Sequence, residues 1–282
     1  MSTIKSTSPL NESPLWDQLR QLTDARISLG RSGHALPTKA HLSFQMDHAN
    51  ARDAVWQMLD SESLIANLRS IRSDIQFQSL ATAAANREMY LKRPDMGRSL
   101  NAQSRQQLKS ADVGTQEIVV VIADGLSALA VEQQVPKLWS FLSHGLDALG
   151  FSFSPVYLVS QGRVAVGDDI AQALNATRVL VLIGERPGLS SPDSLGIYYT
   201  YAPKVGAQDA QRNCISNVRD AGLLPEHAVD KLLWLIRESD KIQASGVVLK
   251  DESDQAVLEG ENHAQEASAF SLLPPKRSGD SG

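Results

Sequence analysis

Ile118-Val119-Val120-Val121-Ile122 is an uninterrupted β-branched run, and Val179-Leu180-Val181-Leu182-Ile183 is a second continuous apolar run, followed at once by Gly184-Glu185-Arg186. Runs of this kind, with no polar alternation, fit strands covered by helices on both faces, the usual situation in a parallel sheet. Between them Val135, Leu138, Trp139, Leu142, Leu146 and Leu149 recur at helical spacing and mark one apolar face, with Gly150 as a natural cap. Residues 151–159 read as another strand, 168–175 as a short helix and 197–201 as a further strand. Pro225 suits the first turn of a last helix, whose buried side carries Val229, Leu232, Leu233 and Ile236, and Gly246 closes it. Strand and helix alternate at the spacing of βαβ units, so the fold class is α/β with a mostly parallel sheet flanked by helices.

Upstream the pattern is helical. Leu15, Leu19 and Leu22 share one face, and Gly30, Gly33 and Pro37 then break the helix. Three further helices are predicted over 38–48, 49–60 and 61–71. Residues 75–110 read as a mixture of turn and helix, with a break at Arg93-Pro94, because the residue before proline is biased away from helix. The predicted organisation is a flexible N-terminus over 1–12, an N-terminal helical region over 13–110, the sheet domain over 111–250 and an acidic, disordered tail over 251–282.

Composition excludes several classes. A chain of 282 residues that is 42% hydrophobic and 21% charged can bury an ordinary globular core. No stretch of eighteen apolar residues offers a membrane-spanning helix, and the first seventeen residues lack the apolar centre of a signal peptide, so a cytoplasmic location is expected. The single cysteine, Cys214, cannot form an internal disulfide. The net charge of −5 arises in residues 251–282, which hold seven acids against Lys276 and Arg277. The neutral remainder has no electrostatic footprint for nucleic acid.

In an open parallel sheet ligands bind outside the carboxyl ends of the strands. Those ends here are Asp124-Gly125, Gln161-Gly162-Arg163-Val164 and Gly184-Glu185-Arg186, each with a glycine that lets backbone approach a large ligand. Glu185 can accept hydrogen bonds from amide donors, and Arg163 and Arg186 can donate them. Asp124-Gly125-Leu126-Ser127-Ala128 has one glycine rather than the dinucleotide fingerprint, and the P-loop pattern is absent. The six histidines show no zinc spacing with Cys214 or with each other. Cys214 has no partner pattern of a nucleophile and reads as a small packing residue beside a ligand. On the residues alone two readings stay open beside a cofactor site. One is a stand-alone α/β small-molecule or nucleotide-binding module in which Arg163 and Arg186 grip phosphate. The other is a structural subunit without a ligand.

Several long segments, in order, resemble the light chain of adenosylcobalamin-dependent ethanolamine ammonia-lyase. They are Ala25-Arg26-Ile27-Ser28-Leu29-Gly30-Arg31-Ser32-Gly33 with Leu36-Pro37-Thr38, then Asp47-His48-Ala49-Asn50-Ala51-Arg52-Asp53-Ala54-Val55, Tyr90-Leu91-Lys92-Arg93-Pro94-Asp95-Met96-Gly97-Arg98 and Ala123-Asp124-Gly125-Leu126-Ser127. Gly162-Arg163-Val164, Gly184-Glu185-Arg186-Pro187-Gly188-Leu189 and Cys214-Ile215-Ser216-Asn217 follow. The resemblance covers about residues 15–250. It implies a Rossmann-like cobalamin-binding subunit preceded by a helical region, with cofactor contacts at Val164, Glu185 and Cys214 and no catalytic residue of its own. It also implies a heavy-chain partner, a barrel subunit that binds ethanolamine, in a hetero-oligomer with several copies of each chain. The implied reaction is radical deamination of ethanolamine to acetaldehyde and ammonia, begun by homolysis of the cobalt–carbon bond, with no activity from this chain alone. The Asp-x-His-x-x-Gly motif that supplies a histidine to cobalt is absent here. That agrees with a family whose cofactor keeps its own lower base on the metal. Besides the cytoplasm, the family resemblance admits a bacterial microcompartment, although the short stretch before the matched region speaks against encapsulation.

Overall fold

The computed structural model describes residues 14–110 and 116–253. The expectations for residues 1–12 and for the acidic tail from 254 onward lie outside the described residues. The β-branched run forms strand β2 (Ile118–Ala123), every residue of which is buried. Beside it lie β3 (Val156–Ser160) and β4 (Arg178–Gly184), both parallel to β2, with Val121 in register with Tyr157 and Val181. Strand β1 (Phe77–Ala81) adds in parallel beyond β3, while β5 (Leu195–Tyr201) and β6 (Asn213–Val218) add antiparallel beyond β4. The order β1-β3-β2-β4-β5-β6 is therefore a mixed, mostly parallel sheet, as the alternation of strands and helices requires.

Side chains on a strand alternate between faces, and β2 divides the core accordingly. Ile118, Val120 and Ile122 pack under helices α3 (Ser61–Ile71), α6 (Ala128–Ala148) and α8 (Pro225–Ile242), around the fully buried Trp139. Val119, Val121 and Ala123 face α5 (Ala102–Ser110) and α7 (Val166–Ala173), where Val166, Ile170 and Leu108 meet them. A buried ion pair ties the second layer to the far edge of the sheet. Arg212, just before β6, donates from Nη1 to Asp168 Oδ1 and from Nη2 to Asp168 Oδ2, both at 2.6 Å, and the two side chains are 2% and 1% exposed.

Three sequence expectations are corrected. The two helices predicted over 38–48 and 49–60 are one, α2 (Thr38–Trp56), because no glycine or proline interrupts the stretch; it ends where Gln57 turns extended. Residues 75–110 contain β1, an edge strand with only Leu80 buried, too polar and short for the periodicity to declare it. Strand β6 also went unread. Only Ile215 and Val218 are buried along it, a spacing of three imposed by a register shift against β5.

Helix α1 (Pro14–Gln21) forms as expected, but its apolar residues do not close against the body: Leu15 is 59% and the following Leu22 82% exposed. On α2 only Ala51 and Ala54 are buried, and Leu42, Met46 and Trp56 stand in solvent. The helix α4 (Arg87–Lys92) then returns to the sheet and buries Arg87 and Tyr90. Among the described residues no helix is long and apolar enough to cross a membrane.

Candidate functional site

The ends of β2, β3 and β4 open on one edge of the sheet, and three loops converge there. After β2 the chain turns at Gly125, which adopts a positive φ of 58°, a conformation that favours glycine. After β3, Gln161 takes the left-handed region at φ 58°, unusual for a side-chain-bearing residue, and its surroundings hold it there. Asp124 is the main holder. Its carboxylate accepts from the backbone N–H of Gln161 at 2.9 Å and of Gly162 at 3.0 Å. Burial pushes the Asp124 carboxyl above the ordinary range, while those two amides and the nearby Arg87 guanidinium oppose the shift.

Glu185 follows β4 directly. Ser194 Oγ donates to its Oε2 at 2.5 Å, Ser216 Oγ to its Oε1 at 2.6 Å, and the Asn217 backbone N–H to Oε2 at 3.2 Å. The carboxylate thus braces the end of β6 against the end of β4. A carboxylate has about four lone-pair positions, so one remains for a ligand donor. A cavity of about 390 Å³ opens here, lined by Val164 and Glu185 together with Arg163, Arg186, Tyr198 and Ser216. It adjoins a second of about 840 Å³ that shares Arg163 and Val164 and extends past Arg98 to the loop carrying Val205 and Asp209.

Two of the three predicted contact residues, Val164 and Glu185, therefore meet in one crevice. Cys214 is not on its lining but sits one strand away, opposite Tyr198 in the β5–β6 pairing, and Tyr198 is on the lining. The residue is exposed, yet desolvation by its neighbours raises the thiol pKa, against a smaller lowering from Tyr198. A protonated thiol suits packing rather than nucleophilic attack. Arg163 and Arg186, read from sequence as donors, both reach the crevice. Tyr90, Tyr198 and Ser216 were assigned no chemistry from sequence. Nothing local marks Tyr90 or Tyr198, whereas Ser216 is two positions from Cys214 and the strand period could have placed it near Glu185. Among the described residues no histidine lines either cavity, and no group of three or more His, Cys, Asp or Glu side chains could hold a metal ion.

Comparison with known proteins bears directly on this crevice. The family model for the ethanolamine ammonia-lyase light chain (EutC) matches residues 13–250. The small subunit of ethanolamine ammonia-lyase from Azotobacter vinelandii is 50% identical over 260 residues, covering 91% of this chain and 95% of that protein. That from Pseudomonas fluorescens Pf0-1 is 50% identical over 270 residues, 95% of this chain and 98% of the relative. That from Ralstonia nicotianae is 51% identical over 247 residues, 86% and 91% respectively. A match of this extent leaves no part of the sheet or its crevice outside the likeness, and the chain belongs to the ethanolamine ammonia-lyase light chain family.

Proposed function

We propose that this chain binds adenosylcobalamin at the three-loop crevice and presents it to the heavy chain for deamination of ethanolamine. The observation that carries the reading is the meeting of Val164 and Glu185 across one crevice at the carboxyl edge of the sheet, in a chain of this family. The donor and acceptor set fits a corrin, whose rim carries amides. Glu185 is fixed by three hydrogen bonds and keeps acceptor capacity for an amide N–H. Arg186 is exposed at the mouth and, with Arg163, donates to amide carbonyls. Val164 supplies apolar surface against the ring, and Cys214 with Tyr198 closes the side toward β6.

When bound, adenosylcobalamin supplies a cobalt–carbon bond whose homolysis starts the radical route to acetaldehyde and ammonia. This chain's residues bind, orient and shield. The exposed apolar side chains of α1 and α2 support a large protein partner, the heavy chain, which holds the ethanolamine. A stand-alone nucleotide module would have no use for that surface.

Deaminase activity tests the reading: this chain alone, the heavy chain alone and the pair, each with and without adenosylcobalamin. Activity is expected only from the pair with cofactor. A folded, co-purified pair that stays inactive with cofactor overturns it. Within the active pair, Glu185→Ala is expected to raise the half-saturating adenosylcobalamin concentration about tenfold, the loss of one good hydrogen bond to a charged group plus loosening of Ser216 and Asn217. Glu185→Gln preserves the shape and should fall between. An unchanged cofactor dependence in both removes Glu185 from the site.

A further inference from the structure

The loop that carries Val164 is held from outside the sheet by an aromatic side chain with no assigned role. Tyr90 on α4 is fully buried, and its hydroxyl donates to the Gly162 carbonyl at 3.1 Å. Two guanidinium groups lie over its ring, with the Arg163 carbon 4.2 Å and the Arg87 carbon 4.8 Å from the centroid. Around it every backbone polar group of the loop core is engaged. Asp124 takes the Gln161 and Gly162 N–H groups, Thr82 Oγ1 donates to the Gln161 carbonyl at 2.9 Å, and the Arg163 N–H donates to the Gly97 carbonyl at 2.7 Å. Gly97 closes the packing, since a Cβ there would lie 2.9 Å from Arg163 Cγ and 3.0 Å from the Tyr90 ring. Arg163 stays only partly spent. Its Nη2 reaches the Tyr90 carbonyl at 3.4 Å, while its Nε is buried without a partner, on a side chain that lines both cavities. Burial holds the Tyr90 hydroxyl well above its ordinary pKa, so it remains a donor.

We propose that Tyr90 is a positioning residue for the cofactor: its hydroxyl sets the Gly162 carbonyl, and with it Val164, while its ring holds the Arg163 guanidinium at the seam of the two cavities, ready to donate to an acceptor on the cobalamin. The proposal rests on the cobalamin reading above and assigns the donor side of that site to Arg163. A guanidinium held over an aromatic ring is restrained in position.

The test uses the co-expressed complex, with two readouts. Retention of hydroxocobalamin after equilibrium dialysis, read by visible absorbance, gives binding without turnover. The half-saturating adenosylcobalamin concentration, set against kcat and the KM for ethanolamine, gives the functional split. Tyr90→Leu is expected to weaken both cofactor measures about tenfold, through loss of the ring and the hydrogen bond together. Tyr90→Phe keeps the ring and should weaken them about threefold. In both, kcat at saturating cofactor and the KM for ethanolamine should stay within about twofold, because those interactions lie in the heavy chain. A purely structural tyrosine would lower melting temperature and kcat together without this split. If Tyr90→Leu does not assemble, Tyr90→Phe decides alone. Unchanged cofactor affinity in assembled variants overturns the assignment of Tyr90 while the parent complex still binds. A parent complex that retains no corrin overturns the cobalamin reading itself.

Discussion

Arg212→Met is expected to destabilise the chain by about 3–5 kcal/mol, the usual consequence of leaving a buried charge unpaired. The guanidinium holds both Asp168 oxygens at 2.6 Å and also donates to the Ala207 carbonyl at 2.9 Å and to Thr200 Oγ1 at 3.3 Å, so four acceptors lose their donor at once. For a body of this size the loss corresponds to a melting temperature lower by roughly 10 °C. The pair carries none of the chemistry proposed for the crevice, so what assembles should keep its cofactor dependence. Asp168→Leu combined with Arg212→Met should recover most of the stability, because an apolar pair of similar volume tolerates the site where a lone carboxylate does not. The pH dependence has a definite sign. Burial raises the Asp168 carboxyl, and the hydrogen bonds and charge of Arg212 oppose it. Without the arginine the folded-state value rises further above the unfolded one. The folded variant then binds more protons than the unfolded chain, and its deficit is largest at pH 7. The deficit should shrink as pH falls toward the unfolded value of about 4. Urea melts of Arg212→Met at pH 7 and pH 5 measure this, and a deficit that grows on acidification contradicts the assignment.

This lock also shows where sequence reasoning reached and where it stopped. The central strands were legible because burial on both faces leaves no choice but continuous apolar residues, as in Val119-Val120-Val121. Glu185 stands at a strand end that topology brings to the crevice, whereas Val164 was singled out by the family resemblance; both line the same cavity. Strands β1 and β6 were not legible, because an edge strand is specified by its neighbour's backbone rather than by its own side chains. The pairing of Arg212 with Asp168 and the stacking of Arg163 on Tyr90 connect residues 44 and 73 positions apart. Nothing in local periodicity encodes such a distance. Leu15 and Leu22 mark the converse limit: an amphipathic period correctly announces a helix, but it does not say whether the apolar face packs on the chain's own core, and here both side chains are exposed.

Gly184→Ala is expected to weaken cofactor binding and stability together, because one atom there disturbs both strands that frame the crevice. A Cβ on Gly184 would stand 2.0 Å from the Ser127 carbonyl oxygen and 2.7 Å from that of Asp124. Both are backbone atoms and cannot swing aside as a side chain would. The reciprocal contact is as close, since a Cβ on Gly125 would lie 2.2 Å from the Gly184 carbonyl oxygen. That carbonyl meanwhile accepts from the Leu126 N–H at 2.9 Å. The end of β4 and the β2–α6 turn therefore approach closely because neither carries a side chain, and a methyl group forces them apart. Overpacking of this severity costs about 3 kcal/mol or more. The separation acts on the next residue, Glu185, whose carboxylate spans to Ser216 and Asn217, and on Asp124, whose carboxylate fixes Gln161 and Gly162. Both walls of the crevice move from one substitution. Co-expressed Gly184→Ala complex should melt at least 6 °C lower. Where it assembles, it should require at least tenfold more adenosylcobalamin for half-maximal activity, a shift of about 1.4 kcal/mol or more in cofactor binding. Gly188→Ala, on the same loop but beside only the flexible Ser191 hydroxyl at 2.5 Å, is the control and should change neither measure by more than about twofold. Equal behaviour of the two variants would mean that the close approach of β4 to the β2 turn does not set the shape of the site.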